Sequence, residues 1–157
     1  MDWTSFTLKI GVKTSIGSLY KALTVSEEVE KWFLESCVFL DENGQAAPQA
    51  ASGNTYDWKW FLDEDHESGK ILEANGRDFF QFTFAGQCLV DINLEQVGES
   101  VMVKLRQHNI PTDENSKFDI RIGCTKGWTF FLTNLKSIYE NGLDLRNQMP
   151  ELEGLNN

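Results

Sequence analysis

Apolar residues recur along this chain with two distinct periods. Phe6, Leu8, Ile10 and Val12 alternate with Thr7, Lys9 and Gly11, which predicts a strand with one dry face. Residues 15–23 then read as a short helix with Thr14 or Ser15 as its N-cap. A second helix starts at Ser26 and runs to Trp32-Phe33, with Glu27 and Glu28 in its first turn, where the helix dipole favours acids. Residues 37–41 predict another strand, and the breaker-rich stretch 41–53 a long, mobile loop.

The middle of the chain is a run of alternating strands. Tyr56, Trp58, Trp60 and Leu62 face away from Asp57 and Lys59 over residues 54–62. After a turn at Ser68-Gly69, residues 70–74 continue, and Asn75-Gly76 marks a hairpin. Phe80, Phe82 and Phe84 share one face, as do Val90, Ile92 and Leu94, and then Val101, Val103 and Leu105. Turns at Gly86 and Gly98 make this an antiparallel meander with a dry inner face and a wet outer one.

The period changes near the C-terminus. Pro111-Thr112-Asp113-Glu114 is a helix start with Thr112 as N-cap, and a first helical piece covers 114–122. In 128–140, Trp128, Phe131, Leu132, Leu135 and Tyr139 form one helical stripe, with Asn134, Lys136 and Glu140 largely off it. Asn141-Gly142 supplies the stop. The segment 123–127 either kinks one long helix or separates two. The order β-α-α-β-β-β-β-β-β-α, with a helix across one face of a curved antiparallel sheet, is an α+β two-layer arrangement. Residues 1–146 form a single domain, and 147–157 a polar, acidic tail expected to fray.

Composition narrows the function classes. The net charge of −10, from 24 acidic and 14 basic residues, repels phosphate backbones, and no basic cluster offsets it. Nucleic acid is therefore not an expected partner. No apolar run reaches membrane-spanning length, and Met1-Asp2-Trp3-Thr4 does not open a secretory signal, so the expected location is the cytoplasm. Cys37, Cys88 and Cys124 are isolated thiols, which suits a reducing compartment and argues against a disulfide framework. His66 and His108 lie in no ligand-spaced pair, so no metal site and no cofactor are expected.

The pattern resembles the START-like superfamily, also called SRPBCC, with its helix-grip fold. Within it the chain looks most like proteins related to the activator of heat-shock protein 90 ATPase. The residues that carry this are Tyr56-Asp57-Trp58-Lys59-Trp60, Gly69-Lys70-Ile71-Leu72-Glu73-Ala74 and Phe80-Gln81-Phe82-Thr83-Phe84. Gly127-Trp128, opening the terminal helix ahead of Leu132 and Leu135, completes the set. The resemblance spans roughly residues 3–143. It implies a sheet wrapped around the long helix, often with an elongated apolar cavity between them, its entrance near residues 43–52 and Trp32-Phe33. Relatives include lipid carriers, aromatic polyketide cyclases, hormone receptors and co-chaperone domains, so fold alone does not settle function. The eukaryotic co-chaperone carries a second, chaperone-binding domain that these residues do not include.

The residues expected to line a ligand cavity are Tyr56, Trp58, Trp60, Phe80, Phe82 and Phe84 from the sheet, and Trp128, Phe131, Leu132 and Leu135 from the helix. The same rings equally well fill a core, each burying ~150–250 Å². A buried indole N–H at Trp58 or Trp60 would orient a ligand's polar end or find a backbone carbonyl. Gln107 is the polar residue in phase with Val101, Val103 and Leu105, and Gln96 holds the matching place after Leu94. Arg106 and His108 fall on the opposite, solvent-facing side. Amides orient but do not exchange protons, so no catalytic residue is assigned, and a cyclase-type reaction would have to act through shape alone. Cys124, just before the main helix, sits where the dipole would lower a thiol pKa, or is simply a small apolar residue. The leading expectation is a non-enzymatic domain that binds an apolar or amphipathic small molecule in a cavity of ~300 Å³ or more. The alternative is a protein-interaction module whose acidic surface docks a chaperone or another basic partner.

Overall fold

A computed structural model describes residues 1–152. Strand β1 (Phe6–Val12) is followed by helices α1 (Ile16–Thr24) and α2 (Ser26–Glu30), then β2 (Ser36–Leu40) and the two-residue β3 (Ala46–Ala47). Five longer strands follow: β4 (Thr55–Lys59), β5 (His66–Ala74), β6 (Phe79–Phe84), β7 (Cys88–Val97) and β8 (Ser100–His108). All pair antiparallel in one sheet of order β1-β8-β7-β6-β5-β4-β2-β3. The helical C-terminal region lies across its inner face, giving the α+β helix-grip architecture that the sequence pattern implies.

Period-2 alternation decides which face is dry. Phe80 and Phe82, Val90, Ile92 and Leu94, and Val101, Val103, Leu105 and Gln107 are all buried. Their register partners bring these rows side by side, as Phe80 opposite Ile92 and Ile92 opposite Leu105. Trp128, Phe131, Leu132 and Leu135 meet them from the helix and are buried in turn.

The long helix is one run with an irregular middle. α3 (Glu114–Ser116) passes into a π-helical segment, Lys117–Ile122, and then into α4 (Gly123–Asn141). The region 123–127 thus does not divide the helix, and the departure from α geometry lies just upstream. The N-cap is Asp113 rather than Thr112, because the Asp113 carboxylate accepts from Ser116 N–H at 3.0 Å. Ser15 caps α1 in the same way. Gly142, at φ 68°, closes α4 with its N–H on the Ile138 carbonyl, as Asn141-Gly142 predicts.

Several local expectations are corrected by tertiary contacts. Ser68-Gly69 is no turn but the middle of β5, and the connection from β4 runs through residues 60–65. Leu62 lies in that connection at φ 62° and is exposed, not in the inner row. Gly69 is there for close approach. A Cβ at this position would stand 2.5 Å from Thr83 Oγ1 and 2.7 Å from the Tyr56 hydroxyl oxygen. The ring of Tyr56 crosses the bare glycine, and its hydroxyl donates to the Thr83 carbonyl.

The stretch 41–53 is stitched down rather than free. β3 pairs with β2, Val25 bridges Gln49, Ser26 N–H donates to the Pro48 carbonyl, and Ala50 N–H donates to the Thr24 carbonyl. α2 ends at Glu30 and a turn carries Trp32 and Phe33. Beyond α4 the chain folds back, and Pro150–Leu152 makes a short 3-10 turn. The remainder of the tail expected to fray, residues 153–157, lies outside the described residues.

Candidate ligand-binding site

Four aromatic side chains close into a cycle at one end of the sheet–helix junction. Ring centroids are 5.5 Å apart for Phe33–Trp60, 6.2 Å for Trp60–Phe84, 5.2 Å for Phe84–Trp128 and 5.1 Å for Trp128–Phe33. Phe131 stands edge-on to Phe33 at 5.0 Å. These rings wall a cleft of about 180 Å³ whose other side is the π segment and the start of α4: Asp119, Gly123, Cys124 and Gly127. The mixture of tilted, stacked and T-shaped pairs is what ring quadrupoles favour.

Each wall is held by identifiable contacts. Phe33 sits in the turn after α2, and the neighbouring carbonyls are taken up by the C-terminal segment. Asn134 Nδ2 donates to the Trp32 carbonyl at 2.7 Å, and Arg146 donates to the carbonyls of Leu34 at 2.9 Å and Lys31 at 3.0 Å. Asn134 also accepts from Leu145 N–H and donates to Asp144, whose carboxylate is forked by Arg146. Asn134 is therefore wholly buried, contrary to its expected place off the stripe. Burial raises the Asp144 carboxyl, but Arg146 and Asn134 outweigh it and hold the group below its ordinary value. Trp128 is fixed by its Nε1–H donating 3.0 Å to Gln107 Oε1, with both groups buried.

The expected site residues divide into three groups. Trp60, Phe84, Trp128 and Phe131 line the cleft. Trp58, Phe80 and Phe82 pack behind it around a residual gap of only about 10 Å³, too small for more than a single water. Tyr56, Leu132, Leu135 and Gln107 are core: Tyr56 stacks on Trp58 at 3.9 Å, and Gln107 anchors Trp128. Where these residues meet, the elongated cavity implied by the resemblance is largely filled with indole and phenyl rings, and the cleft itself holds about 180 Å³, less than the ~300 Å³ expected. Residues 43–52 do not border the cleft, because they are bound to α1 and α2. Phe33 does.

The polar surroundings are sparse. Gln107 Nε2 is buried without a hydrogen-bond partner and lies beside the thiols of Cys88 and Cys124. Burial pushes the Cys124 thiol up to about 11 and that of Cys37 up to about 12. The helix does not begin at Cys124, so no free dipole end activates it. The indole N–H groups of Trp58 and Trp60 are buried and find no backbone carbonyl. Gln96 is in phase with the inner row but exposed beyond the helix, where it ties the β7–β8 turn by donating to the Gly98 and Ser100 carbonyls. On the outer face His108 and Asp91 approach to 2.9 Å, and both are largely shielded, not solvated as parity alone suggests.

Two features of this region escaped the sequence reading, and only the second of them lines the cleft. Glu67 is in phase with Gly69 and Ile71, and its carboxylate accepts from Ala85 N–H at 2.8 Å; reading 68–69 as a turn hid it. Asp119, Gly123, Gly127 and Phe131 are each four residues apart, a row on one helix face whose two glycines leave room for the cleft. That row was the available signal. Among the described residues no cluster of three or more His, Cys, Asp or Glu is placed to hold a metal, and no helix is long and apolar enough to cross a membrane.

A sheet gripping a long helix, with a small aromatic cleft at the junction, defines a START-like domain. Residues 13–140 match the family model described as "Activator of Hsp90 ATPase homolog 1-like protein", and the chain belongs to that family. Its fold is similar to a crystal structure of a protein from Staphylococcus saprophyticus, with TM-score 0.74, 17% identity, and 90% of this chain and 96% of that one covered. It is similar also to the solution structure of the Aha1 dimer from Colwellia psychrerythraea, with TM-score 0.69, 20% identity and 88% and 97% covered. DynU16, of the dynemicin biosynthetic locus, gives TM-score 0.70 at 17% identity, covering 92% of this chain and 50% of that one. No curated protein matches the sequence.

Proposed function

We propose that this domain binds a compact apolar or amphipathic molecule, without converting it, in the cleft between β4, β6, the turn after α2 and the long helix. The observation that carries this is the closed cycle of Phe33, Trp60, Phe84 and Trp128 facing Gly123 and Gly127. Rings on one side and missing side chains on the other leave about 180 Å³ walled mainly by carbon. An apolar cavity of about 150 Å³ takes up a benzene ring, so the space suits one ring or a group of similar bulk. It does not suit a long lipid chain. Asp119 supplies the one carboxylate among the lining residues and Cys124 the one thiol, which burial holds protonated, and this supports binding rather than acid–base chemistry.

Gly127 offers the test. A Cβ there meets nothing within 4 Å and the backbone is helical, so Gly127→Ala removes a helix-interior glycine and adds roughly 0.5–1 kcal/mol of stability. Gly127→Leu projects an isobutyl group into the cleft. The expected result is a folded, stable variant that no longer quenches or shifts tryptophan fluorescence on titration with indole or toluene, whereas wild type does. Equal responses in both proteins would refute the reading.

A second reading, a protein-interaction module, is favoured by Phe118 and Ile122, which stand 65% and 46% exposed one turn apart on the π segment. A pull-down with heat-shock protein 90 at low salt, with Phe118→Ser as control, tests it. Retention lost in the variant supports the reading, and no retention by wild type opposes it.

A further inference from the structure

Resting on the cleft reading, we infer that its ligand is a weakly hydrated organic cation, of the methylated or aryl-substituted ammonium class, held against the aromatic cycle with Asp119 as counter-ion. The rings come first. Phe33, Trp60, Phe84, Trp128 and Phe131 border one small volume, and a cation within ~6 Å of an open ring face is attracted to it; Phe33 contributes its edge, because Trp32 and Trp128 stack on it. Charge decides between cation, anion and neutral ring. Asp119 is the one charged residue on the wall, and its carboxylate makes no hydrogen bond or ion pair among the described residues.

No lysine, arginine or histidine lines the cleft. Lys126, next to Gly127, is exposed and off the wall, and three other nearby bases are engaged elsewhere. Arg146, which borders the adjacent gap, is forked onto Asp144 and stacked over Phe61 at 5.0 Å. Arg121 lies over the Phe6 ring and bonds Thr125, and Lys117 pairs with Glu114. An anionic ligand would meet a lone carboxylate, at most the buried indole N–H of Trp60 as a side-chain N–H donor, and a chain of net charge −10. A hard, strongly hydrated cation would find too few oxygens. A soft cation loses little hydration and gains both rings and carboxylate.

The size agrees. About 180 Å³ admits a trimethylammonium group or a single aryl ring, with the remainder of the molecule directed to solvent past Asp119, which is exposed.

The test compares two probes of one shape, phenyltrimethylammonium and tert-butylbenzene, by titration of wild type and Asp119→Asn under identical low salt. Expected are binding of the cation about fivefold or more tighter than that of the hydrocarbon, a loss of that margin on raising salt, and a weaker cation but unchanged hydrocarbon affinity in Asp119→Asn. Hydrocarbon binding as tight as or tighter than the cation, with no effect of Asp119→Asn, overturns the charge assignment and leaves the cleft standing. Binding of neither probe overturns both. Asp119 is exposed and without partners, so its variant should keep the wild-type circular dichroism and melting temperature.

Discussion

Replacing Gln107 by leucine and Trp128 by phenylalanine, singly and together, separates the polar anchor of the cleft from its ring. In the native protein the indole N–H donates 3.0 Å to Gln107 Oε1, while Gln107 Nε2 stays buried without a partner. Trp128→Phe removes the donor and leaves the whole amide unsatisfied. At about 1–3 kcal/mol for an orphaned buried acceptor, plus roughly 1 kcal/mol for lost ring area, it should cost about 2–4 kcal/mol. Gln107→Leu orphans the indole N–H but also deletes the unpartnered Nε2, so the two effects nearly cancel and the net cost is about 0–1 kcal/mol. The double variant has no polar group left to satisfy, and only the smaller ring remains as a defect. It should therefore be more stable than Trp128→Phe alone, with a coupling of about 1–3 kcal/mol. Urea unfolding followed by far-ultraviolet circular dichroism measures this without depending on the missing indole. A double variant no more stable than the sum of the two losses would refute the reasoning.

Further outcomes follow from the same contacts. Gly69→Ala would force a Cβ to 2.5 Å from Thr83 Oγ1 and 2.7 Å from the Tyr56 hydroxyl oxygen, and should cost about 1–3 kcal/mol in urea unfolding. Cys124, pushed up to about 11 by burial, carries roughly one thiolate in a thousand at pH 8, so it should react with an aromatic disulfide reagent far more slowly than free cysteine until the protein is unfolded. The Asp144 carboxyl is depressed in the folded state, so its contribution is complete above the unfolded value near pH 4 and disappears as pH falls through the lower folded value. Asp144→Asn should lower the melting temperature at pH 7 and flatten its decline below about pH 4.

The sequence read well where one period dominates. Strands with a dry and a wet face announce themselves by parity, which is why the inner rows through Phe82, Ile92 and Val103 and the helical stripe from Trp128 to Leu135 stand where the pattern puts them. The helix stop at Gly142 is a local backbone effect and equally visible. What was hidden depends on partners distant in sequence. Gly69 looks like a turn residue until Tyr56 is laid across it, and that misreading concealed the inward Glu67. Asn134 looks like a solvated helix position until the returning chain brings Leu145 and Asp144 to its amide.

The candidate site was half legible. Helical spacing selected Trp128 and Phe131, and parity selected Trp60 and Phe84 but could not distinguish these two from Trp58, Phe80 and Phe82, which share their sheet face and fill the core. The difference is set by the helix opposite: bulky side chains meet the middle of the sheet, whereas Gly123 and Gly127 meet its end. Phe33 depends on carbonyls held by Asn134 and Arg146 from more than a hundred residues away, and no local pattern records that.

The central claim is that the rings around Gly127 form a real cleft for a small molecule. Indole N–H resonances report on it directly, because five tryptophans divide into two at the cleft, Trp60 and Trp128, and three elsewhere. On titration with phenyltrimethylammonium or indole, the Trp60 and Trp128 signals should shift and saturate while Trp3 and Trp32 stay still, and Gly127→Leu should abolish the response. Shifts of similar size at all five indoles, or an undiminished response in Gly127→Leu, would contradict the account.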